Sequence, residues 1–275
     1  MSGVVPGRQR PGNTGPGGGS AARPSSGWFA CEPCADGITR IWEPCVAELL
    51  QANMFLVQDA GEQLLVDAGL GIVPLRESLA PLLDEPTPLL LTHSHRDHVG
   101  AAHEFAERQA HAWESQQLES PIRGALRRGE MAPRYVTLLE QAGYPIPDCL
   151  LSEVPDGFDA SAYVIPAAPA THFLQDGDVV SVGRRQFLVL VVPGHTPGSL
   201  ALFEEKTGLL LAGDLLYDGP LIDFLPESDP VKYRASLARV LELPLSTVCG
   251  GHGAPVAARR AAEVARAYLA GVPAP

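Results

Sequence analysis

Residues 92–100 read THSHRDHVG, so His93, His95, Asp97 and His98 crowd one short stretch of a chain that has eight histidines in all. The residues before it, Leu89 to Leu91, form an apolar run that reads as a buried strand, and Gly100 opens the way into a helix. The motif therefore falls on the loop at a strand's C-terminal end. Alternate residues of an extended loop point the same way, so His93 and His95 can share one ion while Asp97 and His98 turn toward a second. Imidazole with a neighbouring carboxylate suits zinc. The competing reading is a polar loop with unrelated histidines, and the choice rests on whether the chain supplies further ligands.

Two more histidines have a suitable setting. His195 lies in VVPGHTPGS at the end of the apolar run FLVLVV, and His252 lies in CGGHGAP directly after the strand-like STVCG. Asp214, in LLLAGDLLY, ends another apolar run. Glycine beside each lets backbone approach closely and turn sharply, as a crowded ligand set requires. Four strand ends thus carry imidazole or carboxylate. His172, in ATHFLQDGD, reads as a loop residue, His103 as solvated and His111 as structural.

With 45% hydrophobic and 19% charged residues, the 275-residue chain has an ordinary globular composition and enough apolar residues for a sizeable core. It holds no run of about 18 apolar residues, so no membrane span is expected. The formal net charge of -12 argues against nucleic acid as a partner, because phosphate binding needs a broad basic face. Lysine occurs only at Lys206 and Lys232, so the cations are nearly all arginine. The cysteines Cys31, Cys34, Cys45, Cys149 and Cys249 are odd in number and follow no basic-then-apolar leader. They read as free thiols in a reducing compartment, and a cytoplasmic location is expected. Cys31 and Cys34 form a CxxC, either half a structural zinc site or a redox pair, but no second CxxC follows.

Residues 1–26 are dominated by Gly, Pro and Ser and read as a disordered tail; residues 27–275 read as one folded domain. Strands are expected at 38–42, 53–58, 62–67 and 88–92, with helical patterns in IVPLRESLAPLL and HVGAAHEFAER. Helical patches rich in arginine follow over 113–145. Then come the strands DVVSV, QFLVLVV, SLALFEE and GLLLAGD around GRR and KTG turns, a helix at 230–243, the strand STVCG and a helix at 256–269. Strands in two groups, each followed by helices, point to two packed sheets with helices outside.

HSHRDH, PGHTPGS, AGDLLY and GGHG, in this order, resemble the motifs of the metallo-β-lactamase fold superfamily, and VDAG resembles its earlier strand motif. The resemblance runs from about residue 36 to 255. It implies an α/β (α+β) fold, a four-layer αββα sandwich of two packed mixed β-sheets with helices outside. It also implies ligands: His93, His95 and His195 for a first metal, Asp97, His98 and His252 for a second, and Asp214 bridging them. Asp67 of VDAG would orient a ligand histidine from behind. Two zinc ions per chain are then expected. LQDGDVVSVG and AGDLLYDGPLIDFLP are similar to the branch of the superfamily that hydrolyses acyl-coenzyme A thioesters.

The reaction implied is attack by a metal-bound hydroxide on an acyl carbonyl. Asp97 would accept a proton during turnover, and Tyr217, three residues after Asp214, is a candidate oxyanion donor. Oxygen-reducing diiron relatives usually carry glutamate where His95 stands, which favours hydrolysis. The expected function is therefore a dinuclear zinc-dependent hydrolase, a thioesterase for acyl-CoA or a related small-molecule thioester. Hydrolysis of a lactone or β-lactam, and metal binding without turnover, are the alternatives. Within PIRGALRRGEMAPRY, Arg123 and Arg127 are four apart, so a helix would put them on one face with Arg128 adjacent. These three arginines are candidate anchors for the coenzyme's phosphates.

Overall fold

Side chains along a strand alternate between two faces, and when both faces are apolar the strand must be covered on both sides. The computed structural model describes residues 27–84 and 86–271, so the tail expected over 1–26 lies outside the described residues. The first sheet begins with β1 (Ala30–Ala35), β2 (Ile38–Trp42), β3 (Met54–Asp59), β4 (Glu62–Val66), β5 (Leu89–Leu90) and β6 (Arg108–Ala110). A two-stranded ribbon then pairs β7 (Ile122–Arg123) with β8 (Val164–Ile165), and β9 (His172–Phe173) joins the first sheet beside β6. The second sheet runs in order through β10 (Val179–Val182), β11 (Arg185–Val191), β12 (Leu200–Glu204), β13 (Leu209–Gly213), β14 (Thr247–Gly250) and β15 (Val256–Ala257). Both sheets are mixed. The first is antiparallel from β1 to β4 and parallel from β4 to β9; in the second only β13 and β14 are parallel.

Alternation sorts the core into three apolar layers. Phe55 and Val57 of β3 face Phe187 and Val189 of β11 and Leu200 and Leu202 of β12 between the sheets. Met54 and Leu56, their neighbours in β3, belong to the outer layer of the first sheet, which Val136 and Leu139 cover from a helix. Ala201 and Phe203 likewise turn outward to Tyr233, Leu237 and Val264. Helix–sheet–sheet–helix is the result, the four-layer αββα arrangement.

The helices are α1 (Leu75–Ser78), α2 (Arg96–Val99), α3 (Ala112–Gln117), α4 (Pro133–Ala142), α5 (Pro230–Leu241) and α6 (Ala258–Ala270). The two long ones at the end match expectation. Pro230 stands in the first turn of α5, where no N–H is needed, and Asp229 Oδ1 accepts from Val231 N and Lys232 N.

Elsewhere the sequence pattern overstates helix. IVPLRESLAPLL yields only α1, because Pro81 has no N–H to continue a ladder. HVGAAHEFAER yields no long helix, since Gly100 N donates to Gly69 O and Ala101 N to Ala68 O instead of to the preceding turn. The expected helix carrying Arg123, Arg127 and Arg128 is absent. Ile122 and Arg123 pair with Ile165 and Val164, Arg127 bridges to Cys149, and Arg128 begins a single 3-10 turn. The four-residue spacing of Arg123 and Arg127 therefore has no helical meaning here.

The backbone bonds of Gly100 and Ala101 draw the 67–71 loop against α2 so tightly that only glycine fits. A Cβ on Gly100 would lie 1.9 Å from Leu70 C, and Gly71 sits at φ +66° facing Gly100. Gly100→Ala should therefore cost about 2–3 kcal/mol and lower the thermal midpoint by roughly 5–10 °C. Gly129→Ala, with open space around the added atom, should shift it by no more than about 1 °C. Thermal melts of the two variants check this, and equal shifts would refute the packing argument.

Candidate metal centre

The groups that the sequence singled out lie just beyond strand ends on one side of the sandwich. His93 to His98 follow β5, His195 follows β11, Asp214 follows β13 and His252 follows β14. They form two groups, His93 with His95, His195 and Asp214, and Asp97 with His98 and His252; within each, the ligand atoms lie within 4.8 Å of one another. Asp214 also meets the second group, with Oδ1 3.3 Å from His98 Nε2 and Oδ2 3.3 Å from His252 Nε2. All seven are buried except His95, which is partly exposed.

Each histidine is aimed by what its other nitrogen touches. Thr92 Oγ1 donates its only proton to Asp67 Oδ2 at 2.8 Å, so it accepts from His93 Nδ1 at 3.0 Å and leaves His93 Nε2 bare. Asp67 Oδ2 also accepts from His98 Nδ1 at 2.8 Å, again leaving Nε2 bare. One carboxylate thus orients a histidine in each group. Asp67 holds a left-handed backbone conformation, φ +64°, while its Oδ1 accepts from Thr92 N at 2.8 Å. His195 Nδ1 donates to Ile222 O at 2.8 Å, and His95 Nε2 donates to Glu227 Oε1 at 2.6 Å, turning His95 Nδ1 inward.

A metal fits what these residues present. His93 Nε2, His98 Nε2 and Asp214 Oδ1 are buried without a hydrogen-bond partner. His95 Nδ1 and His195 Nε2 are 2.9 Å apart, a hydrogen-bond distance, but the facing imidazole–carboxylate pairs stand 3.3 to 3.8 Å apart, too long for good hydrogen bonds. Two ligands at about 2.0–2.1 Å from a tetrahedral ion would stand roughly 3.3–3.4 Å apart. Burial, reinforced by neighbouring imidazoles, holds His93 well below its ordinary pKa and brings His195 down to about 4, so both present the neutral form that ligands need. Burial acts the same way on His98 and His252, but Asp214 and the acids beside it outweigh it and raise both. For Asp214, burial is outweighed by His252 and His98, which hold its carboxyl well below the usual range. Positive charge is thus wanted where the groups meet.

Glycine makes this crowding possible. A Cβ on Gly251 would fall 2.0 Å from Asp214 Oδ1. Asn53, which sequence reasoning did not single out, anchors this loop: its N donates to Gly251 O, and its Nδ2 to Gly250 O and Gly253 O. Glu227 and Thr92 were also missed: Thr92 opens the histidine stretch but was read only as the end of a strand, and Glu227 stands in no motif and meets His95 across 132 positions.

A cavity of about 410 Å³ opens over the groups, with His95, Asp97, His195, Asp214 and His252 at its floor. Arg123 and Arg96 line it; Arg127 and Arg128 do not. The Arg128 guanidinium is held by Glu140 and Ile146 O. Tyr217 is placed differently from its expected role as oxyanion donor. Its hydroxyl donates to Pro220 O at 2.6 Å beside Tyr144, burial keeps it firmly protonated, and it is not among the cavity-lining residues. Its ring packs against that of His252 at 5.4 Å between centroids. His111 caps α3 by accepting from Trp113 N, while His103 and His172 are exposed away from the groups.

Residues 47–252 match the family model described as the metallo-beta-lactamase superfamily. A protein named acyl-coenzyme A thioesterase MBLAC2 from Gallus gallus is 34% identical over 257 residues, which is 88% of this chain and 87% of that one. The crystal structure of the metallo-beta-lactamase family protein TTHA1429 from Thermus thermophilus superposes with a TM-score of 0.60 at 25% identity, covering 86% of this chain and 80% of that one. That of TTHA1623 in a di-iron-bound form gives a TM-score of 0.52 at 27% identity, covering 78% and 94%.

If Asp67 aims histidines of both groups, Asp67→Asn should weaken metal retention about 10–100-fold, with both groups affected. Thr92→Val removes the hydroxyl that links Asp67 to His93 but leaves Asp67 bonded to His98 Nδ1 and Thr92 N, so it should weaken the first group only. Metal content after dialysis against graded chelator tests this; loss from the second group in Thr92→Val would contradict the hydrogen-bond assignment.

Proposed function

The chain belongs to the metallo-beta-lactamase superfamily, and from that premise we propose that it is a dinuclear zinc hydrolase of thioesters, with acyl-CoA as its substrate class. The observation that carries the reading is the pair of ligand groups sharing Asp214 beneath a cavity with an apolar wall. Leu49, Leu50, Ile122, Met131, Leu139 and Leu225 can receive an acyl chain, while Arg96 and Arg123 supply charge for an anionic coenzyme. Arg96 Nε is buried and has no hydrogen-bond partner among the described residues. The similarity to a named acyl-CoA thioesterase over most of both chains supports the same class.

Zinc, when bound here, would lower the pKa of a water toward neutrality and polarise the thioester carbonyl. The chain's own residues do the rest. The apolar wall holds the acyl chain and excludes bulk water from the carbonyl carbon. Asp97, at the cavity floor with Oδ2 3.5 Å from His252 Nε2, takes the proton as the new C–O bond forms and returns it to the thiolate as the C–S bond breaks. The imidazole and carboxylate donors suit zinc, and metal analysis distinguishes it from iron.

Close to two zinc per chain are expected in the purified protein. Asp214→Ala should lower both occupancies, and His252→Ala should leave about one. A single tightly held metal, unaffected by His252→Ala in elemental analysis, would sink the dinuclear reading.

For the substrate, zinc-loaded protein is assayed on acyl-CoAs, S-lactoylglutathione, a homoserine lactone and nitrocefin. Acyl-CoA should be preferred in kcat/KM by at least about tenfold, a difference of ~1.4 kcal/mol in the barrier. Replacing Arg96 and Arg123 by Gln together should raise KM for acyl-CoA roughly tenfold and flatten its salt dependence. Hydrolysis of a short uncharged thioester should barely change, and Arg128→Gln should leave both substrates alone. Equal effects on charged and uncharged substrates would remove the arginines from the site.

A further inference from the structure

Glu114, on α3, is completely buried, yet it belongs to neither ligand group and does not line the cavity. Its two oxygens accept four hydrogen bonds. Oε2 accepts from Ser94 N at 2.8 Å and Ser94 Oγ at 2.6 Å; Oε1 accepts from Thr196 Oγ1 at 2.5 Å and Gly198 N at 2.9 Å. Ser94 stands between His93 and His95, and Thr196 follows His195. All three histidines of the first group are therefore reached through this one carboxylate, and none of the second group is.

The surroundings are fitted to this contact. A Cβ on Gly198 would lie 2.9 Å from Glu114 Oε1 and 2.5 Å from His111 Nδ1, so the glycine of PGHTPGS is what allows the loop to come this close. Thr196 Oγ1 spends its proton on Glu114 and so accepts from Ser199 Oγ at 2.7 Å, which extends the tie to the start of β12. An acceptor-only group surrounded by four donors holds its position more firmly than any single bond would.

We propose that Glu114 is a positioning residue for the first metal alone, locking the His93–His95 loop to the His195 loop so that three imidazoles converge before metal arrives. The inference rests on the metal-centre reading above. Buried Asp67 reaches only His93 of this group and bonds His98 of the other, Glu43 binds Trp28 Nε1 and Leu70 N, and Glu204 pairs with Arg185 across β11 and β12.

The test isolates each group. In a His252→Ala background, which leaves the first group intact, zinc affinity is measured by chelator competition with and without Glu114→Gln. Affinity should fall about 10–100-fold, the usual loss when a residue behind a metal ligand is changed. In a His195→Ala background, which leaves the second group, the same change should alter affinity by less than about threefold. Thr196→Val, which removes one of the four donors and is gentler on folding, should give a smaller loss of roughly 3–10-fold in the first background only. Glu204→Gln should lower the thermal midpoint of the metal-free protein without changing zinc affinity. Equal losses in both backgrounds, no loss in the first, or the same loss from Glu204→Gln would overturn the inference. If the His252→Ala protein with Glu114 intact binds no zinc, the metal-centre reading itself fails and the inference falls with it.

Discussion

Seven imidazole and carboxylate groups are packed together just past the strand ends, six of them buried, so their lone pairs are costly unless a donor or a cation is shared among them. Transfer of polar groups out of water costs several kcal/mol each when their bonds are not replaced. Here His93 Nε2, His98 Nε2 and Asp214 Oδ1 face one another without such replacement. The rest of the molecule is organised around holding that arrangement. Two sheets apolar on both faces form a rigid double layer, and the ligands sit just past the ends of β5, β11, β13 and β14, where backbone pairing stops and side chains can turn toward one another.

The loops that carry the ligands are thin and tied down. Gly100 and Gly71 let the Asp67 loop touch α2, Gly251 lets Asp214 reach His98, and Gly198 lets the His195 loop meet Glu114. At each place a methyl group would collide with backbone or with a carboxylate. The glycines around these motifs therefore express a distance constraint more than a need for flexible turns. Gly71 alone among these four needs the left-handed conformation.

How much of this was legible depended on range. Strand ends bearing histidine or aspartate are local patterns, and the apolar runs that mark β3, β11, β12 and β13 are local too, so the candidate ligands and the layers could be read from the chain. The groups that aim the ligands could not. Glu114 meets Ser94 across 20 positions, and Glu227 meets His95 across 132. Nothing near either residue marks it. The misread arginines show the opposite failure: a helical spacing was counted where Gly124, Gly129 and Pro133 interrupt the segment and pairing with β8 makes it a ribbon. Tyr217 was misjudged at short range instead: its three-residue offset from Asp214 suggested a donor, whereas Pro220 O, three residues further on, accepts its proton.

A division of labour follows from where these supports originate. Asp67, Glu114 and Glu227 come from three different parts of the chain, and each acts on ligands from outside the cavity or at its edge. The apolar wall and Arg123, by contrast, come largely from residues 122–139, a stretch that supplies none of the seven ligands. Changes in that stretch can reshape the cavity above the two groups while leaving the hydrogen bonds behind His93, His95, His98 and His195 intact. Specificity should accordingly be sought in α4 and the β7 ribbon, and metal affinity in the buried acids behind the loops.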